Sequence, residues 1–89
     1  MNSKLNKRER EWLGRVKELP CSVCDAPGPS YAHHIEQGEH YTCVALCYEC
    51  HQGKGGVHGD KTFWRIYKIN ELQALNKTIE GMFKKLLTV

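Results

Sequence analysis

The chain has 89 residues, enough for one small domain and too few for two. A domain of this size buries only about 60–65% of the surface its unfolded chain exposes, so some staple is expected, and five cysteines can supply one as disulfides or as metal ligands. The net charge of +3 is mild, but the basic residues crowd two places: Lys4, Lys7, Arg8, Arg10, Arg15 and Lys17, then Lys54, Lys61, Arg65 and Lys68. That distribution suits contacts to phosphates and equally suits a merely solvated face.

The opening "MNSKLNKREREWLGRVKELP" mixes charged and apolar residues and has no hydrophobic core of a secretion signal. No stretch approaches the roughly 18–20 apolar residues of a membrane span. The expectation is a cytoplasmic protein with reduced thiols and no membrane partner, in which paired Cys-x-x-Cys motifs read as metal sites. The odd cysteine count argues the same way.

In chain order, residues 3–19 read as a helix, with Leu5, Trp12, Val16 and Leu19 at helical spacing and Pro20 ending the run. Residues 21–59 are rich in Cys, His and Gly. Turn signals at "DAPGP" (25–29) and "QGE" (37–39), with the β-prone "YTCVAL" (41–46), predict hairpins leading into a short helix. Residues 60–87 read as helix in two pieces, the second restarted by Asn70 and Gln73 as a capping pair. In that last helix Leu72, Leu75, Ile79, Met82, Phe83 and Leu86 form one apolar stripe. It is expected to pack onto the metal-binding region, with a dimer seam as the alternative. The expected architecture is a single α+β domain over 1–89: a basic helix (1–20), a zinc-bound core (21–59) and C-terminal helices (60–89).

The cysteines Cys21, Cys24, Cys47 and Cys50 follow the spacing C-x2-C-x22-C-x2-C. A Cys-x-x-Cys turn presents two thiolates on one side, and two such turns supply the four soft ligands that Zn²⁺ takes in a tetrahedron. Cys47 and Cys50 share a face on a starting helix, whose N-terminus favours the thiolate. Cys43 falls on the apolar alternation of Thr42 to Leu46 and reads as a small core residue.

Five histidines, His33, His34, His40, His51 and His58, lie within 26 residues and are surplus to a four-cysteine zinc. A closed structural zinc needs none of them, whereas a catalytic ion needs histidines or carboxylates and an open position. Such a cluster is therefore a candidate catalytic site. His51 projects about 100° round from Cys50 on a helix, and "QGKGG" can fold the chain back so that His58 approaches it.

The pattern "C-x-x-C … A-H-H-I … L-C-x-x-C-H" resembles the HNH endonucleases of the ββα-metal (treble-clef) class. Over residues 21 to about 75, including "FWRIYKINEL", the chain is similar to phage recombination-enhancement (Ref-type) nucleases. The resemblance implies a β-hairpin crossed by a helix, a structural Zn²⁺ and one catalytic divalent ion. Residue by residue, it implies His33, His51 and His58 as ligands of that ion and His34 as general base. The family commonly has an asparagine where this chain has Thr42; the residues placed to replace it are His40 and the Thr42 hydroxyl.

The implied activity is metal-dependent hydrolysis of DNA phosphodiesters, of a phage type linked to recombination in a bacterial host cell. DNA is then a partner, with Arg8, Arg10, Lys54, Lys61 and Arg65 as the expected phosphate contacts, and a recombinase filament is a second. Three imidazoles suit Zn²⁺, Mn²⁺ or Ni²⁺, while Mg²⁺ would lean on substrate oxygens and water. Two readings compete: a non-catalytic zinc-ribbon module that binds DNA or protein, and an inactive HNH relative kept as a structural subunit. A monomer and a dimer are both compatible with the sequence.

Overall fold

The computed structural model describes residues 4–87; Ser3, where the first helix was expected to start, and the last two residues of the C-terminal segment lie outside the described residues. The elements are α1 (Lys7–Lys17), β1 (Tyr31–His34), β2 (Cys43–Leu46), α2 (Tyr48–His51), α3 (Phe63–Tyr67) and α4 (Glu71–Leu87), an α+β arrangement around a two-stranded sheet.

Helix α1 begins at Lys7 because Asn6 caps it. The Asn6 side chain accepts from the Glu9 N–H, and the Glu9 carboxylate accepts from the Asn6 N–H, a reciprocal box that satisfies two otherwise orphaned donors. Leu5 therefore precedes the helix, and the residues α1 buries are Leu13 and Val16.

Strands β1 and β2 pair antiparallel, with Tyr31 opposite Leu46, Ala32 opposite Ala45, His33 opposite Val44 and His34 opposite Cys43. All four residues of β2 are buried. Val44 and Leu46 join one apolar cluster with Cys21, Cys50, Phe63 and Ala74, while Ala45 joins another with Val16, Leu19 and Met82. This split follows from strand alternation: β2 is covered on both faces, so it reads as a continuous apolar run. Cys43 is buried as expected, which pushes its thiol up to about 11.

Three expectations need correction. Tyr41 and Thr42 belong to the turn before β2 rather than to the strand, where the Thr42 hydroxyl donates to the Glu39 carbonyl. The sheet contains one hairpin; "DAPGP" leads into β1, and the 21–24 turn touches the sheet through Ser22 N–H donating to the Ala45 carbonyl at 2.8 Å.

The third correction concerns α4. Asn70 and Gln73 cap each other as expected, after Lys68 ends α3 in a left-handed conformation. The face α4 buries, however, is Ala74, Thr78 and Met82, and Leu72, Ile79, Phe83 and Leu86 are exposed. Small residues decide this. The Thr78 hydroxyl lies 2.7 Å from the Ser22 hydroxyl and accepts from Ala45 N–H at 3.1 Å, and a Cβ on Gly81 would meet Leu19 Cδ2 at 3.3 Å. A row of leucines on that face would hold α4 off the sheet. Among the described residues no helix is long and apolar enough to cross a membrane.

Candidate metal centres

Two separate sets of ligand-type side chains converge. In the first, the sulfurs of Cys21, Cys24, Cys47 and Cys50 all lie within 4.8 Å of one another, with Cys24 Sγ and Cys47 Sγ 3.7 Å apart. None is in a disulfide. The 21–24 turn wraps its backbone around Cys21 Sγ, which accepts from the N–H groups of Val23 and Cys24, both at 3.5 Å. Burial pushes the Cys21 thiol up, but backbone donors from Cys24, Cys47 and Val23 outweigh it and hold the group below its ordinary range. Cys47 is the N-cap of α2 and Cys50 lies in that helix.

Cys24 and Cys50 are pushed up, first by burial and then by the neighbouring sulfurs. Four thiolates this close repel unless a cation sits among them, and their donor set and spacing fit the four soft ligands of a metal such as zinc.

The second set is His33 on β1, His51 at the end of α2 and His58 in the following loop, whose ring nitrogens also lie within 4.8 Å of one another. The fold-back expected of "QGKGG" is built on contacts that exclude side chains. A Cβ on Gly56 would lie 2.6 Å from the Glu49 carbonyl oxygen and 2.8 Å from that of Cys50. With glycine there, Val57 N–H donates to the Cys50 carbonyl and His58 N–H to that of His51, so the loop runs back along α2. His58 Nε2 and His51 Nε2 end 3.0 Å apart. Two imidazole nitrogens at that distance share either a proton or a cation.

His33 is buried, and burial is the main reason its pKa falls to about 4; positive charge on His51, His58 or His34 would push the same way. His51 is lowered by burial and by His58. Near neutral pH the His33 and His51 rings offer lone pairs rather than charge, which is the form a metal binds. The set therefore fits a divalent ion on donor type and spacing.

The titration of His33 gives a direct check. With no divalent ion at the histidines, its ring proton signal is expected to titrate near pH 4 by NMR; a midpoint at 6.5 would contradict the burial described. A group protonated in the unfolded chain but neutral in the fold costs stability as it charges. The His33 contribution to stability is therefore full above pH 6.5 and falls by roughly 3 kcal/mol between 6.5 and 4.

His34 does not join the triad. β1 is regular, so neighbouring side chains leave on opposite faces, and His34 Nε2 instead lies 3.0 Å from His40 Nδ1. Burial and then His40 lower its pKa. Of the two residues expected to replace the family's asparagine, His40 reaches His34, and the Cys43 thiol donates to the His40 carbonyl at 3.2 Å. Thr42 turns to the loop backbone.

Arg8, Arg10, Lys54, Lys61 and Arg65 are all exposed, and the Arg10 guanidinium donates to the Leu5 carbonyl at 2.7 Å. Sequence reading missed two neighbours of the triad. Glu71 Oε2 lies 3.8 Å from His33 Nε2, and the Tyr31 ring stacks on His51 with centroids 5.4 Å apart. Glu71 carries a faint signal as the acidic residue of a first helical turn; nothing in the spacing links it to His33. Compared with known proteins, the chain matches no family model, no curated protein and no solved structure.

Proposed function

We propose that this chain is a metal-dependent DNA endonuclease of the HNH type, acting in the cytoplasm of a phage-infected bacterial cell. In this reading the 21–24 turn, the β1–β2 hairpin and α2 form a treble-clef ββα-metal core. Cys21, Cys24, Cys47 and Cys50 hold a structural Zn²⁺. The observation that carries the proposal is the convergence of His33, His51 and His58 beside, but separate from, a complete four-cysteine set.

His33, His51 and His58 would hold a divalent ion, which would supply positive charge to offset the negative charge that grows during phosphodiester cleavage. The chain's own residues do the rest. His34 takes the proton of the attacking water. In the tautomer that puts the shared proton on His34 Nε2, that nitrogen donates to His40 Nδ1, 3.0 Å away, and His34 Nδ1 keeps its lone pair. In that tautomer the contact with His40 fixes the ring. Because β1 is regular, the scissile phosphate lies between His33 and His34 rather than on one face of the strand. Glu71 Oε2, 3.8 Å from His33 Nε2, would place a negative charge near the ion.

Nicking of supercoiled plasmid with Mg²⁺, Mn²⁺, Zn²⁺ and Ni²⁺ in turn tests the proposal: cleavage with at least one of them is expected, and inertness with all would favour the zinc-ribbon binding module. Binding makes its own prediction. If Arg8, Arg10, Lys61 and Arg65 each neutralise one phosphate, log affinity should fall with log salt at a slope of about −3.6 on duplex DNA. Lys61→Ala should make it shallower by about 0.9. An affinity independent of salt would remove phosphates as the binding partner.

A further inference from the structure

The exposed side of α4 has a symmetry that packing within one chain does not use. Thr78 faces the sheet, and Ile79, one residue on, points about 100° away. Leu72 and Leu86 lie seven residues either side of Ile79, and Leu75 and Phe83 lie four either side. By helical spacing all five fall in one stripe about 80° wide centred on Ile79. Leu75 packs partly against the core, but Leu72 is 72% exposed and Phe83 59%. A stripe so spaced reads the same in both directions.

The two ends of the stripe also differ in shape. Beside Leu72, at the start of α4, lies a groove of about 660 Å³ lined in part by Tyr67, Ile69 and Asn76. Near the other end, Phe83 and Leu87 stand out into solvent. Turning one copy end for end about an axis through Ile79 lays its Phe83 and Leu87 over the groove of the other, and the reverse contact follows by symmetry. The same turn sets the acidic first turn near the basic last turn, where Lys84 pairs with Glu80 and Lys85 with Glu18 in the same chain, and opposes the two helix dipoles.

We propose that this face seats a second copy of the same chain, with the two α4 helices antiparallel across a two-fold axis at Ile79. The helix is about 25 Å long, and its stripe with the groove covers on the order of 600 Å² per copy, at the lower limit for a specific interface. The dimer is therefore expected to form in the micromolar range and to dissociate on dilution. Its formation does not depend on cleavage.

Sedimentation equilibrium of the zinc-loaded chain at roughly 100 µM, well above such dissociation constants, should give twice the mass of one chain. Ile79→Glu sets two like charges at the axis and should give the single-chain mass, with zinc content and far-UV circular dichroism unchanged. Phe83→Glu, at a position more exposed than Ile79, should do the same and stands in if Ile79→Glu fails to fold. On dilution of the parent, amide NMR shifts should concentrate at Leu72, Ile79, Phe83, Leu86 and the groove. A parent that stays at single-chain mass overturns the proposal and leaves the face to a partner of different sequence. A dimer that survives both substitutions, or whose dilution shifts fall elsewhere, overturns it as well.

Discussion

Cys50→Ser is expected to abolish the folded state rather than merely weaken it. Cys50 is one of the four clustered sulfurs and is also buried in the cluster that contains Val44, Leu46 and Phe63. Serine at that position loses the soft ligand and leaves a buried hydroxyl beside three thiols. Binding a structural Zn²⁺ is worth about 10–16 kcal/mol to a small zinc domain, as much as the whole stability of an ordinary one, at about 5–15 kcal/mol. The described apolar core is small, so little remains to hold β2 against α1 and α4 once the ion is lost. Metal analysis with circular dichroism checks this: the parent should carry about one zinc at the cysteines, and Cys50→Ser should carry none there and be unfolded. A folded, reduced chain free of zinc would overturn the structural role.

His34→Ala is expected to remove most cleavage while leaving the fold alone. A general base contributes about 10²–10⁴-fold, and His34 is half-buried, outside both ligand sets, with His40 as its one side-chain hydrogen-bond partner among the described residues. Zinc content, thermal stability and DNA affinity should stay near those of the parent. His40→Ala should lower the rate less, because the base survives and only its orientation is released. Cleavage at the parental rate by His34→Ala would refute the assignment.

Local chemistry makes much of this fold legible in the sequence. The two Cys-x-x-Cys turns, the Asn70–Gln73 cap and the return of His58 after a glycine loop each depend on a few neighbouring residues, and each is found as expected. Relations across the fold were harder to read. The apolar periodicity of α4 was visible, but which face is buried turned on Ala74, Thr78 and Gly81 allowing close approach to β2 and Leu19. Their smallness carries weight only once the sheet is in place. Likewise Glu71 meets His33 across 38 positions of sequence, and Tyr31 stacks on His51 across the hairpin. That His40 reaches His34 while Thr42 turns to the loop backbone rests on how the 35–42 loop folds, which no spacing rule supplies.

The nuclease account is tested most directly by nicking rates for the parent and His51→Ala across a titration of divalent ion, with cysteine-bound zinc measured alongside. His51 makes one corner of a triangle of rings, its centroid 5.3 Å from that of His33 and 4.5 Å from that of His58, so its loss should weaken the ion's hold without touching a cysteine ligand. The account predicts a parent that cuts only with added divalent ion, and a variant that needs far more of it but recovers part of the rate when it is supplied. A parent that binds DNA and zinc yet cuts with no ion, or a variant whose rate and metal requirement match the parent's, would contradict it.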